Sequence, residues 1–69
     1  MKSWMRRARE SAGLAPSDCA RALYLSVEDY LLREDNPGML TVDELVALGF
    51  IFDESARWIV IDGLKDALL

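Results

Sequence analysis

The chain contains no histidine and a single cysteine, Cys19, among its 69 residues. Histidine is the commonest general base and the commonest zinc ligand, and one cysteine can form neither an intramolecular disulfide nor a zinc cluster. No spacing of carboxylates resembles a calcium-binding loop. We therefore expect no metal and no cofactor, and we expect Cys19 to be a small buried apolar side chain in a reducing compartment.

Long apolar runs are also lacking. The longest is "LVALGFIF" at residues 45–52, which is far too short to span a bilayer. The basic start "MKSWMRRARE" is not followed by the apolar segment of a signal peptide. These absences predict a cytoplasmic protein that makes no contact with a membrane. The hydrophobic share of 52% is generous for so short a chain, which hints that part of the surface is buried against another chain.

Charge is unevenly distributed along the chain. Before Tyr24 there are five basic and two acidic residues, whereas from Tyr24 onward there are three basic and ten acidic residues. The formal net charge is −4. This distribution predicts a molecule with one basic face and one acidic face.

Residues 1–69 are predicted to form a single all-α domain of five short helices, because repeats, linkers and low-complexity tracts are missing. Gly13 and Gly49 are expected to end the first and fourth helices. Ser3, Ser26 and Asp53 are candidate N-caps, and Thr41 with Glu44 has the pattern of a capping box. The predicted helices run from Ser3 to about Ala12, from Pro16 to about Leu23, from Ser26 to about Glu34, from Thr41 to about Leu48 and from Glu54 to about Ala67.

Helical spacing predicts an apolar stripe on each of the first four helices, with the arginines of the first helix pointing outward. A domain of this size needs tight packing of such stripes, or a partner subunit, to be stable. The residues expected to face the core are Trp4, Met5, Ala8, Ala20, Leu23, Val27, Tyr30, Leu31, Val42, Leu45, Val46 and Leu48.

The segment "ARWIVIDG", residues 56–63, is compatible with two structures. Its β-branched run followed by Asp-Gly fits a short strand and turn at 57–61, whereas the apolar residues that recur to the end of the chain fit a helix, which we favour. That helix either closes the core or forms a homodimer interface. The residues of the interface would be Trp58, Ile59, Ile61, Leu64 and Leu68.

Several segments stand in the order and spacing of a known DNA-binding fold. They are "MRRARESAGL", "CARALYLS", "YLLRE", the turn Asn36-Pro37-Gly38 and "TVDELVALG". Over about residues 5–54 the chain resembles the lambda-repressor-like helix-turn-helix domains, the XRE family of transcriptional regulators. The resemblance implies a dimer that binds operator DNA with its third helix in the major groove.

The positions that contact DNA in this family carry unusual residues in this chain. Pro16 stands where the family often has a glutamine that touches phosphate, and Tyr24 replaces a short residue in the turn. The base-reading positions are Val27, Glu28 and Leu32, of which two are aliphatic and one is a carboxylate. The third helix is therefore a poor reader of base sequence.

The first hypothesis is a non-enzymatic regulatory protein, such as an accessory or phage-type inhibitor, that binds and modulates another protein. The exposed side of the third helix would present a mixed acidic and aliphatic patch to a partner with a basic surface. The patch consists of Glu28, Asp29, Leu32 and Asp35. The chain offers no general base and no phosphate-binding glycine loop, which argues against an enzyme.

The alternative hypothesis is a dimeric, sequence-specific DNA-binding transcriptional regulator of the XRE family. Its contacts with phosphate would come from Arg6, Arg7, Arg9 and Arg21. Because the third helix carries no side chain for bidentate recognition of a base, we expect binding to DNA to be weak.

Overall fold

The computed structural model describes the backbone of residues 3–68 and the side chains of residues 3–66. Within this range the chain forms five α-helices and one turn of 3-10 helix, and it has no strand. The all-α prediction is confirmed, including the helix at 57–61. The elements are α1 (Trp4–Ser11), α2 (Pro16–Ala22), α3 (Val27–Asp35), the 3-10 turn (Pro37–Met39), α4 (Val42–Ile51) and α5 (Glu54–Leu68).

Polar side chains cap four of the five helices, as the sequence predicts. The hydroxyl of Ser26 accepts a hydrogen bond from the backbone N–H three residues on, at 3.1 Å. Thr41 and Glu44 form the reciprocal capping box: the Thr41 hydroxyl accepts from Glu44 N at 3.1 Å, and the Glu44 carboxylate accepts from Thr41 N at 2.9 Å. Such caps satisfy backbone donors that have no partner within the helix. The same role is taken by Ser3 at α1 and by Asp53 at α5.

The two glycines predicted to end helices behave differently. Gly13 follows α1 with φ of 72°, a conformation that glycine adopts at little cost, so this prediction is confirmed. Gly49 does not end α4, which continues to Ile51. A glycine inside a helix costs only about 1 kcal/mol. The burial of Phe52, which is 2% exposed, offsets that cost because it stabilises by roughly 2 kcal/mol.

The core lies between the five helices and includes Phe52, the residue that follows α4. Among the described residues, the buried apolar side chains are Met5, Ala8, Cys19, Ala20, Leu23, Tyr30, Leu48, Phe52 and Ala56. Six of these were predicted to face the core, and a seventh, Cys19, is the buried thiol that the sequence suggested. Trp4 and Leu45 are partly buried against the same cluster.

Four residues predicted for the core lie at the surface instead: Val27, Leu31, Val42 and Val46. Helical spacing identifies an apolar stripe but not the part of it that a neighbouring helix covers. On α3 the buried line is Tyr30 and the residue four positions later, so the other two apolar residues lie at its edge. On α4 the two valines border an open groove.

The most extensive contact between helices joins α1 to α5. The indole ring of Trp4 lies against Gly63, where a Cβ atom would overlap the ring. Glycine weakens a helix interior, but here it lets the two helices pack closely. None of the described helices has the length and apolar character needed to cross a bilayer.

Candidate functional site

The turn between α2 and α3 determines how α3 is presented. Leu25 N donates to Ala20 O at 2.9 Å and Tyr24 N donates to Arg21 O at 3.3 Å, which is the pattern of a Schellman motif. Tyr24 occupies the left-handed position with φ of 57°, where glycine or asparagine is usual. Its side chain is 97% exposed. An aromatic side chain is thus displayed next to the start of α3.

The exposed side of α3 combines carboxylates with aliphatic residues. Glu28, Leu32 and Asp35 follow each other at intervals of four and three, and they therefore share one face of the helix. Leu31 lies beside them and is also exposed. We call these four residues the acidic face. The predicted patch also included Asp29, which is exposed but lies at the margin of this face.

The cation of α3 points away from the acidic face. Arg33 Nε lies 3.2 Å from the Glu44 carboxylate on α4, and Arg33 Nη1 donates to Asp29 O at 3.3 Å. Because this guanidinium is directed toward another helix, the exposed side of α3 carries negative charge without a compensating cation of its own. The long side chain of Leu32 stands among these carboxylates, 54% exposed.

Arg9 does not point outward, and the prediction that all arginines of α1 do so is wrong. Arg9 Nε donates to Glu34 Oε2 at 2.9 Å and Nη2 donates to Oε1 at 3.2 Å, while Nη1 donates to Leu14 O at 2.9 Å. Arg9 is 9% exposed and Glu34 is 2% exposed. The hydrogen bonds that Arg9 donates to the Glu34 carboxylate raise the pKa of Arg9. This bidentate pair links α1 to α3, so Arg9 is not available to bind phosphate.

The other three arginines proposed for phosphate contacts remain at the surface. Arg6, Arg7 and Arg21 are exposed, and Arg6 Nε lies 3.8 Å from the Glu10 carboxylate. Sequence reasoning missed the buried pair, although a signal was present. Arg9 follows the buried Met5 by four residues, and therefore lies on the apolar side of its helix.

Two further polar groups are buried where α2 meets α3. The hydroxyl of Tyr30 lies beside the Cys19 thiol and the Glu34 carboxylate but has hydrogen-bond geometry to none of the described residues, and burial raises its pKa. Burial also raises the pKa of the Cys19 thiol. A protonated, inaccessible thiol is a poor nucleophile. Between residues 3 and 66 no group of three or more carboxylates or thiols is arranged to hold a metal ion.

A second surface is an apolar groove between α4 and α5, with a volume of about 460 Å³. Val42, Val46 and Gly49 line its α4 side. Arg57 spans the two helices, since its Nε donates to Gly49 O at 2.8 Å. The α5 side is lined mainly by Val60, Ile61 and Leu64. Among the described residues, the groove is open to solvent.

The residues predicted for a dimer interface are divided by the structure. Trp58 and Ile61 are 58% and 42% exposed, and Leu64 is partly buried along the groove. Ile59 instead packs against the core. The side chain of Leu68 lies outside the described residues.

Comparison of the chain with protein-family models, with curated proteins and with solved structures found no match.

Proposed function

We propose that the protein is a small regulatory module that binds another protein through the acidic face of α3. The observation that carries this proposal is the direction of the cations. Arg33 is paired with Glu44 and Arg9 with Glu34, so the exposed side of α3 retains only carboxylates and aliphatic side chains. A partner with a basic surface is complementary to such a face.

The two kinds of side chain on the acidic face have different tasks in this proposal. Leu31 and Leu32 supply apolar area that is removed from water on binding, at about 25 cal/mol per Å². Glu28 and Asp35 flank them, and their charge accelerates encounter with a basic surface and disfavours acidic competitors. A buried aliphatic centre within a charged rim is the usual anatomy of a protein interface.

A charge-reversal experiment tests this surface. Tagged wild-type protein and the Glu28→Lys/Asp35→Lys variant are used to capture partners from an extract of the source cells, with identification by mass spectrometry. The control is Asp43→Lys/Asp66→Lys, which makes the same change of charge at exposed positions on α4 and α5. We expect the partner to be retained by the control and lost from the α3 variant. Equal retention by both variants would show that α3 is the wrong surface.

The alternative is a dimeric DNA-binding regulator of the XRE type. It is favoured by the exposed cations on α1 and α2, and by an α3 whose N-cap, Ser26, follows directly after a tight turn. Duplex DNA binding that weakens steeply with salt, by a slope of about 0.9 per phosphate contact on logarithmic scales, would support it. Replacement of Arg6 and Arg7 by alanine should then reduce that slope.

The Glu28→Lys change separates the two functions. Removing a carboxylate from a helix in the major groove should strengthen binding to DNA, because the groove and the phosphates are negative. The same change should weaken binding to a basic protein. Gel-shift titration with random duplex DNA, run beside the partner-capture experiment, distinguishes these opposite outcomes.

A further inference from the structure

The outer side of α5 carries a line of four exposed residues that are separated along the sequence by four, three and four positions. They are Glu54, Trp58, Ile61 and Lys65. This spacing keeps the four side chains on one face of a helix, and it is the a/d spacing of a coiled-coil seam. The centre of the line is apolar and its two ends carry opposite charges. We call these four residues the α5 seam.

The α5 seam is complementary to itself when the direction of the helix is reversed. If two copies of α5 lie antiparallel, with a two-fold axis midway between Trp58 and Ile61, each Trp58 lies opposite Ile61 of the second copy. In the same register each Glu54 lies opposite Lys65 of the second copy. Both relations follow from the sequence spacing, and they match the a-to-d layers of antiparallel helix pairs.

We propose that the protein forms a homodimer by antiparallel pairing of its α5 seams. The interface is isologous, with each contact made twice, as a two-fold dimer requires. Trp58 and Ile61 form the apolar centre, and the two Glu54–Lys65 pairs form its charged rim. The surface is separate from the acidic face of α3 and leaves that face available to a partner.

The charge pattern selects a second copy over other occupants. Parallel pairing would place Glu54 beside Glu54 and Lys65 beside Lys65, which is repulsive at both ends. A uniformly basic or acidic helix would be repelled at one end. A helix with the same pattern, running in the opposite direction, is attracted at both ends.

The size of the surface sets the expected strength. A standard interface buries about 800 Å² per partner, which a single face of a helix the length of α5 does not supply. Val42 and Val46 stand across the groove from Ile61 and add exposed apolar area on the same side of the molecule. We therefore expect a dissociation constant on the order of micromolar, a value typical of modest interfaces.

Sedimentation velocity over a concentration series tests the pairing with the full chain. The variants are Glu54→Lys, Lys65→Glu and the double variant with both changes. Each single change turns two attractive contacts into repulsive ones, and we expect it to raise the dissociation constant about tenfold. The double variant exchanges the charges and should restore dimerisation to within about twofold of wild type.

Rescue by the double variant would indicate antiparallel pairing and not a more stable helix, because neither change favours the helix itself. A lysine near the start of a helix and a glutamate near its end are both unfavourable to the helix dipole. Circular dichroism should show that all four proteins are folded, since the exchanged residues are exposed. If the double variant does not fold, Glu54→Gln and Lys65→Gln are measured in its place, and each should weaken the dimer about threefold.

Three results would overturn the proposal. The first is a monomer at concentrations up to about 1 mM, where even weak pairs associate. The second is a dimer that is unchanged by both single charge reversals. The third is a dimer that is lost with Val46→Asp but insensitive to the α5 changes, which would assign the contact to the groove. Glu28→Lys should leave dimerisation unaffected, so failure here is distinguishable from failure of the proposed function.

Discussion

The two sides of α5 are packed in opposite ways. On the closed side, α1 lies so near that Gly63 has no room for a side chain under Trp4, and α1 is joined in turn to α3 by the Arg9–Glu34 pair. On the open side, α4 and α5 are separated by an apolar groove of about 460 Å³. One face of α5 is therefore packed tightly against the rest of the domain, whereas the other face borders an open apolar groove.

This difference indicates where stability and binding reside. The closed side contains groups whose partners are fixed in geometry, and a misplaced neighbour there leaves a buried charge or an overlap. The open side contains aliphatic side chains that tolerate many neighbours and gain free energy when any apolar surface covers them. Changes on the closed side should thus alter folding, whereas changes on the open side should alter association.

The largest effect is expected from breaking the buried ion pair. Arg9→Ala leaves the Glu34 carboxylate, which is 2% exposed, without its bidentate partner. Removing one member of a buried pair costs about 3 to 5 kcal/mol, a large part of the stability of a small domain. Urea unfolding at pH 7 should therefore show a variant that is marginally folded or unfolded.

Two comparisons make this prediction specific to the pair. Arg7→Ala removes an exposed arginine from the same helix and should change the free energy of unfolding by less than about 0.5 kcal/mol. Arg9→Met with Glu34→Leu removes both charges and should recover most of the loss, because the uncompensated carboxylate is gone. Equal losses from Arg7→Ala and Arg9→Ala would contradict the role of the pair.

The next largest effect is expected at two glycines. Gly63 lies on the closed side of α5, and Gly49 on α4 faces its open side. Gly63→Ala places a Cβ against the Trp4 ring on the closed side, and overpacking of this kind costs about 1 to 3 kcal/mol. Gly49→Ala adds a Cβ where no other atom lies within 4 Å, on the open side. Because alanine favours a helix over glycine, this second change should stabilise by about 0.5 to 1 kcal/mol.

Thermal unfolding followed by circular dichroism measures the pair of alanine variants directly. The two changes are chemically identical and both lie within helices, so the opposite signs can come only from the space around each Cβ. If both variants were destabilised alike, the contrast between a closed and an open side would be wrong.

The features that the sequence predicted well are local ones. Ser26, Thr41 and Asp53 cap helices through hydrogen bonds to backbone groups three residues away, so their environment is already present in the sequence. The helical assignment of 57–61 also follows from spacing within one segment. The same holds for the exposure of Glu28 and Leu32, which lie on the polar side of a predicted helix.

The errors concern contacts between distant parts of the chain. Spacing from Met5 places Arg9 on the apolar side of α1, but the partner that makes its burial possible, Glu34, is 25 residues away and cannot be identified from α1 alone. Val42 was expected inside because it belongs to an apolar stripe, but whether a stripe is covered depends on how far α5 lies from α4. The groove and the exposed Leu31 were missed for the same reason.

The smallest effect is expected from Tyr30→Phe, which removes a buried hydroxyl between α2 and α3. The Tyr30 hydroxyl is buried without a hydrogen-bond partner among the described residues, so its loss should stabilise by about 1 kcal/mol at pH 7 in urea unfolding.

Burial also raises the pKa of Tyr30 in the folded protein, so the unfolded chain releases this proton first. Stability is therefore retained below the ordinary tyrosine pKa of about 10 and falls as the pH rises above it. Cys19 follows the same rule from about pH 8.5, since burial raises its pKa too. Tyr30→Phe should reduce the loss of stability above pH 10, whereas Cys19→Ala should reduce the loss that begins at about pH 8.5. A Tyr30→Phe variant less stable than wild type at pH 7 would mean that the hydroxyl has a partner in solution.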